Sequence, residues 1–297
     1  MTEFLFTVAS VSTPLVYAAL GGMLSERAGV VNIALEGLML AGAFTAATVA
    51  WATKDPWLAF VAGVLASSVF GALHALLTIT FRAHAIISGL AVNAVVAGLT
   101  PVLCKTLFDS STSSPMLENA QRITALGGRV SPLVICAPIV ALLLYVMHRW
   151  SRFGQYIRFA GEVPDALDAQ GISSQKVRWL AVCLSGALCG VAGAYLSIDH
   201  GAGFTRNMTA GRGYVALAAV IVGRWTPQGA LAGALIFGSI EACQILFQDI
   251  PLWGDRTLPV QWMQSLPFIA TLLVLAVVNR RAAKSPGGLF VPKALSS

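Results

Sequence analysis

Charge is what this sequence has least of. Of its 297 residues, 11% are Asp, Glu, Lys or Arg and 57% are hydrophobic, whereas an ordinary soluble domain carries about 25% charged residues. A soluble chain of this length would have no way to hide so much apolar surface. Other absences narrow the chemistry. No G-x-x-x-x-G-K-[ST] phosphate loop is present, so this chain does not hydrolyse ATP by that route; "GAGFTRNMTAGRG" is Gly-rich but lacks the Lys-Ser/Thr end. The four His (74, 84, 148, 200) have no i,i+4 metal spacing and read as packing or interfacial residues. The five Cys (104, 136, 183, 189, 243) show no C-x-x-C pair and read as small buried thiols. No nucleophile–base pair stands out, so no catalytic residue, metal or cofactor is expected and the chain is read as a non-enzyme. "MTEFLF" has no basic leader region, so a cleaved signal peptide is not expected. The apolar runs are continuous rather than alternating, which excludes a membrane β-barrel.

What is present is a series of long apolar runs. "VSTPLVYAALGGML", "WLAFVAGVLASSVFGALHALLTI" and "SLPFIATLLVLAVV" read as membrane spans. Nine apolar segments are expected, near 4–23, 33–52, 57–80, 84–104, 132–148, 178–198, 208–223, 228–247 and 264–279. The fold class is therefore an all-α polytopic membrane protein of about eight to ten transmembrane helices, one domain over 1–297. The seventh segment is too short to cross comfortably and reads as half of a broken helix. Gly186-x-x-x-Gly190, with Gly193 beyond it, and Gly229-x-x-x-Gly233 mark close helix contacts within the subunit.

The net charge of +6 sits mostly beside the spans, where Lys and Arg set topology, so nucleic acid is not an expected partner and membrane lipid is. Arg149, Arg152, Arg158, Lys176 and Arg178 flank one polar stretch, and Arg280, Arg281, Lys284 and Lys293 crowd a C-terminal tail, 280–297. Placing both in the cytoplasm puts twelve of the 19 Lys and Arg inside and seven outside. The N-terminus and the polar gap near 105–131 then face outward. "ALGGMLSERAGVVNIALEGLMLAGAF" and "VAGAYLSIDHGAGFTRNMTAGRGYVALAAV" share a plan: an apolar helix end, a Gly-punctuated polar turn, then small residues. In this topology the two turns lie on opposite sides, as in an inverted repeat.

Polar groups inside apolar segments are expensive and tend to face a cavity or a partner. Asn32 and Glu36 lie one helical turn apart, Ser88, Gly89 and Asn93 cluster in the fourth segment, and Glu241 and Gln244 share a face. Asn207, Arg212 and Tyr214 surround the broken seventh segment. These nine polar residues (Asn32, Glu36, Ser88, Asn93, Asn207, Arg212, Tyr214, Glu241, Gln244) read either as a substrate pathway or as hydrogen bonds within the bundle.

The polar stretch 155–178 carries six charged groups between two apolar runs. Within it Pro164 suits a first helical position, Glu162 and Asp165 suit the positive end, and Gly171 suits a left-handed residue after the last turn. The expected helix, 164–170, spans only about 10 Å, and Ala166, Leu167 and Ala169 give it a small, partly apolar surface. On physics alone it is either a helix that docks in another protein's groove or a solvated loop.

"RFAGEVPDALDAQGI" resembles the cytoplasmic coupling segment of ABC-transporter permeases. "SERAGVVNIALEGLMLAGAF", "AIISGLAVNAVVAGLT", "VRWLAVCLSGALCGVAGAYLSI" and "GRGYVALAAVIVGRWTPQGALAGALIFG" resemble, in collinear order from about 12 to 280, the branched-chain amino acid/ribose-type importer permeases, and among them most of all the nucleoside permeases, which also go under the description of simple-sugar permeases. The resemblance implies a type II ABC importer-like fold in a bacterial cytoplasmic (inner) membrane. It also implies a coupling segment, 161–171, carried by Gly161, Glu162, Pro164, Asp165, Ala166, Leu167, Ala169 and Gly171. The implied partners are two cytoplasmic ATP-binding subunits, a related but non-identical second permease subunit, and an extracytoplasmic substrate-binding protein. Val163, where the family has Asn before the Pro, and Leu167 with Asp168 depart from its wording, which puts the fit to a particular ATPase in question. Two other readings remain: an ion-coupled secondary transporter using Glu36 or Glu241, and an ABC permease for sugars or branched-chain amino acids.

Overall fold

A computed structural model describes residues 2–123 and 131–247, with 251–253, 256–257 and 269 beyond them. The expected ninth segment, 264–279, and the tail, 280–297, lie outside the described residues apart from residue 269. The described chain is nearly all helix. Its helices are α1 (Thr2–Arg27), α2 (Leu35–Thr53), α3 (Pro56–Ala75), α4 (Ala85–Phe108), α5 (Pro132–Trp150), α6 (Arg152–Glu162), α7 (Pro164–Ala169), α8 (Ser174–Ala194), α9 (Arg212–Val222) and α10 (Pro227–Phe247). A short antiparallel pair joins Pro251–Trp253 to Arg256–Thr257. Among the described residues, seven helices are long and apolar enough to cross a membrane. The expected short seventh segment is α9, with 11 residues.

Local chemistry sets the boundaries. Asp55 accepts from the backbone N–H groups of Trp57 and Leu58 at 2.9 and 3.2 Å and so starts α3, with Pro56 at its first position. Ser131 and Ser151 do the same for α5 and α6. α3 and α8 each end in a wide turn with longer-range hydrogen bonding, Leu76–Thr80 and Tyr195–His200.

α1, α2 and α8 form the buried shaft, and α3, α4, α5 and α10 surround it. The small-residue signals lie at these crossings. Gly190 packs on Val64 and Ser67, Gly186 on Ser67 and Gly71, Gly193 on Met39 and Ala43, and Gly233 on Ala219. At Gly193 a side chain would collide with the backbone of Met39 and Ala43, so glycine is what lets α2 and α8 touch. Of the cysteines, Cys104 and Cys189 are buried as expected, but Cys136 is exposed. It lies on α5, whose apolar side chains (Ile135, Ile139, Leu142) face outward, so a thiol there needs no burial.

Pairings fix the directions. Gly22 faces Val220 and Glu26 bonds Trp225, so α1 and α9 run parallel. Gly21 faces Ser185 while Arg178 reaches Ala28, so α8 runs against α1. One end of the bundle therefore gathers the end of α1, all of α7, the start of α8 and the turn between α9 and α10. The opposite end carries the described part of the polar gap. There Ser114 and Leu117 donate backbone N–H bonds to Phe204 and Ala202, and Ile123 donates to Ile198, each at 2.9 Å.

Candidate functional site

The start of α9 is where the scattered polar residues converge. Eleven residues at about 1.5 Å each place that start roughly 16 Å inside the bundle from the α9–α10 turn. Gly211, at φ +83°, begins it, a conformation that suits glycine. Glu36 is the second residue of α2. Its Oε1 accepts from the Gly211 N–H at 2.8 Å and its Oε2 from the Gly213 N–H at 2.7 Å. A side chain on Gly213 would collide with the Glu36 backbone, so two helix N-termini are in contact. Each carries partial positive charge, and one carboxylate lies between them.

Two more fastenings hold the same turn. Asn93 of α4 donates from Nδ2 to the Tyr214 hydroxyl at 3.1 Å and to the Ile33 carbonyl at 2.9 Å, and its Oδ1 accepts from the Gly37 N–H at 2.8 Å. Arg212 donates from Nη2 to Glu241 of α10 at 2.6 Å and from Nη1 to the Met208 carbonyl at 3.1 Å. This ion pair is partly accessible, at 24% and 19% of its side-chain surfaces. α9 is thus tied to α2, α4 and α10 at one level. Tyr214 keeps its hydroxyl pinned while 45% of its surface stays open.

Other expected pathway residues lie elsewhere. Asn32 is fully buried; Nδ2 donates to Ser185 Oγ at 3.0 Å and Oδ1 accepts from the Ala34 N–H at 3.1 Å. Ser88 is 2.9 Å from His74 Nδ1, and His74 Nε2 donates to the Val31 carbonyl at 3.1 Å. Asn32 and His74 hold the 28–34 segment against α3, α4 and α8. Asn207 is exposed in the 201–211 loop at φ +58°, and Gln244 is half-buried on α10. Neither belongs to the cluster around α9. Among the described residues no group of three or more His, Cys, Asp or Glu is placed to hold a metal.

The polar helix is α7, Pro164–Ala169, and Gly171 takes the left-handed conformation at φ +80°. Its outward surface differs from the expectation at one residue. Leu167 is 2% exposed and turns into the core, so Ala166, Ala169 and Asp165 form the exposed face. Asp168 also serves this chain: its Oδ1 accepts from the Ser174 N–H and its Oδ2 from the Ser174 hydroxyl, both at 2.8 Å, which fixes the start of α8. The departures at Leu167 and Asp168 thus have a local cause, while Val163 remains exposed.

The segment before α7 is joined firmly to the shaft. Gly161 packs directly on the Arg27 carbonyl and on Gly29. Arg178 of α8 donates from Nε to the Ala28 and Ala160 carbonyls at 3.2 and 3.1 Å, and from Nη2 to Ala160 at 2.7 Å. Arg27 faces Glu162 at 3.5 Å. Buried Glu26 accepts from the indole N–H of Trp225 at 2.6 Å, linking the end of α1 to the α9–α10 turn. Sequence reasoning missed Glu26, Trp225 and Ser185, while His74 is the packing residue it was read as. A Trp and a Glu 199 residues apart leave no shared local pattern.

The family model described as "Branched-chain amino acid transport system / permease component" matches residues 4–277. The nucleoside ABC transporter permease NupC of Lactococcus lactis is 34% identical, over 91% of this chain and 90% of its own. The guanosine ABC transporter permease NupQ of Bacillus subtilis is also 34% identical, over 94% and 92%. A second guanosine permease of that bacterium, NupP, is 25% identical over 94% of this chain and 80% of its own. Relatives named for glucose transport are similar too. A family match across almost the whole chain, on a bundle of seven apolar spans, places this protein in the branched-chain amino acid transport system permease family, as a membrane permease subunit of an ABC transporter and not an enzyme.

Proposed function

We propose that this permease passes an uncharged, polar, ring-bearing solute, a nucleoside, inward through the bacterial cytoplasmic membrane, driven by two separate ATP-binding subunits. The observation that carries the cargo reading is the position of Glu36. Half-helix N-termini near the middle of a transporter are natural receptors for anionic cargo groups. Here both are already occupied by the protein's own carboxylate. An amino-acid carboxylate finds no free positive end there, whereas a neutral nucleoside needs none. The open ring of Tyr214 and the partly accessible Arg212–Glu241 pair offer a stacking face and hydrogen-bonding groups to such a solute. Glu36, Arg212, Tyr214 and Glu241 are the pathway residues this reading favours, with Asn93 holding Tyr214. Asn32 and Ser88 hold helices together, and Asn207 and Gln244 stand apart. The names of the relatives NupC and NupQ support the same cargo.

Segment 161–171 is the coupling segment. ATP binding shifts the transporter only through its differential affinity for two shapes. Motion of α7 in an ATPase groove passes through Gly161 and Arg178 to the ends of α1 and α8, and through Glu26–Trp225 to the far end of α9. The pathway is completed by a second, related permease; two guanosine permeases in one bacterium, NupQ and NupP, favour a non-identical partner. An extracytoplasmic binding protein delivers the cargo. The ion-coupled alternative loses its footing because Glu36 and Glu241 are both committed to partners.

Competition uptake in cells carrying the whole operon tests this. Nucleosides should block uptake of labelled nucleoside, while pentoses and branched-chain amino acids should not. Competition by amino acids alone would reverse the cargo assignment, and uptake abolished by an uncoupler but indifferent to ATP would reverse the energy source.

A further inference from the structure

The end of the bundle that carries α7 contains a cavity of about 740 Å³ that the pathway does not use. It lies between the last residue of α1, Arg27, the last residue of α6, Glu162, and the α9–α10 turn, which supplies Arg224. Arg224 and Trp225 are both left-handed, at φ +55° and +54°. That backbone sends Trp225 inward to Glu26 and leaves Arg224 exposed. The Arg224 guanidinium makes no hydrogen bond or ion pair among the described residues. Arg27 has a buried Nε without a partner, and its contact with Glu162 is long, at 3.5 Å. Among the residues that line the cavity, two guanidiniums face one carboxylate, Glu162; the neighbouring Glu26 is buried behind the wall and bonded to Trp225. Apart from Thr226, whose hydroxyl donates to the Gly223 carbonyl, the remaining wall is apolar: Val222, Ala232 and Ile236 line the cavity along α9 and α10, and Ile236 continues onto the outward face of α10 at 47% exposure.

We propose that this cavity binds a phosphate group, that of an acidic phospholipid, with the headgroup held by Arg224 and Arg27 and an acyl chain along the outward face of α10. Guanidiniums present forked donors that match phosphate oxygens. The apolar wall leading from the cationic rim onto an exposed hydrophobic helix favours a phosphate with a hydrocarbon tail over a free one. The site adjoins Glu162, one residue before the link to α7, so its occupancy bears on the segment that moves.

Native mass spectrometry of the full chain in detergent tests this, with phosphatidylglycerol, phosphatidylcholine and inorganic phosphate as separate probes. The wild type should retain one phosphatidylglycerol in preference to phosphatidylcholine. R224Q, altered at an exposed side chain, should elute as the wild type does and bind that lipid about tenfold more weakly, the scale of one lost hydrogen bond to a charged group. K54Q, at the opposite end, should bind as the wild type. Retention that excess inorganic phosphate does not displace supports the lipid. Binding of inorganic phosphate with loss of the lipid supports a free phosphate at the same two arginines. Equal lipid retention by the wild type and R224Q overturns the proposal. So does an R224E variant that loses its ATPase partner while its lipid and phosphate binding are unchanged, which would give the cavity to an acidic side chain of that partner.

Discussion

Replacing Glu36 by Gln removes the charge from between two helix N-termini while keeping the side chain's size. The carboxylate accepts two backbone bonds, at 2.8 and 2.7 Å. Glutamine can accept only one and turns its NH₂ toward the other N–H. A hydrogen bond to a charged group is worth about 1.5–3 kcal/mol, and a buried donor left without an acceptor costs about 1–3 kcal/mol. Each helix end adds roughly 0.3–1 kcal/mol of lost charge complementarity. These terms overlap, so the expected loss is about 3 kcal/mol. At about 2–4 °C per kcal/mol for a large domain, that lowers Tm by roughly 6–12 °C. The assay is a thermal-shift scan of the purified full chain beside uptake in cells. Glu36→Asp keeps the charge but cannot reach both N–H groups, so it should fall between the wild type and Glu36→Gln. An unchanged Tm for Glu36→Gln would refute the claim that this carboxylate holds the two helices together. Normal Tm with uptake lost would point instead to a protonatable coupling site.

At the α7 end, Ala166→Arg places a bulky charge on an exposed face and should stop uptake while leaving membrane abundance unchanged; normal uptake would move the coupling surface elsewhere. Leu167→Ala empties a buried position and should cost about 2–5 kcal/mol, read as lower abundance and Tm; wild-type Tm would mean Leu167 faces out. Gly161→Val forces a side chain onto the Arg27 carbonyl. It should abolish substrate-stimulated ATP hydrolysis in the assembled complex more than it lowers the basal rate, and equal loss of both would place its role in folding alone.

The elements were legible because they are local. Apolar run length gave the spans among the described residues, Pro164 and Gly171 bracketed α7, and the shortness of the seventh segment anticipated α9. The cluster around α9 was legible only as a set of candidates. Composition showed that Glu36, Asn93, Arg212, Tyr214 and Glu241 needed partners, but their contacts cross from 29 to 177 residues of sequence, where periodicity carries no information. The same limit explains Leu167. In a helix of 6 residues the apolar positions do not define a face, so which way Leu167 turns depends on the shaft beneath it. Asn32 and Ser88 could equally have lined a cavity, and they do not because Asn32 bonds Ser185 of α8 and the Ala34 N–H, while Ser88 bonds His74 of α3, whose other ring nitrogen holds the Val31 carbonyl.

The helices that follow the two polar turns alike in sequence meet in the bundle, and their meeting explains the cluster. α2 starts after the turn that follows α1, and α9 starts after the turn that follows α8. α1 and α8 run in opposite directions, so the helices that follow their turns approach each other N-terminus to N-terminus. Two positive ends in a low-dielectric interior repel, and a neutral side chain between them would leave that repulsion standing. A carboxylate long enough to reach N–H groups on the opposing helix resolves it, and a glycine at 213 allows the approach. Glu36 is then a consequence of topology before it has any role in transport. The other end of α9, roughly 16 Å away, is held by Trp225 to Glu26 at the end of α1, beside the Gly161 contact. On the proposed coupling role of segment 161–171, movement imposed through α7 would arrive at one end of α9 while Glu36, Asn93 and Glu241 hold the other. A short helix fixed at its inner end and carried at its outer end tilts rather than slides. Such a tilt would change the opening beside Tyr214 without separating the two N-termini that Glu36 joins.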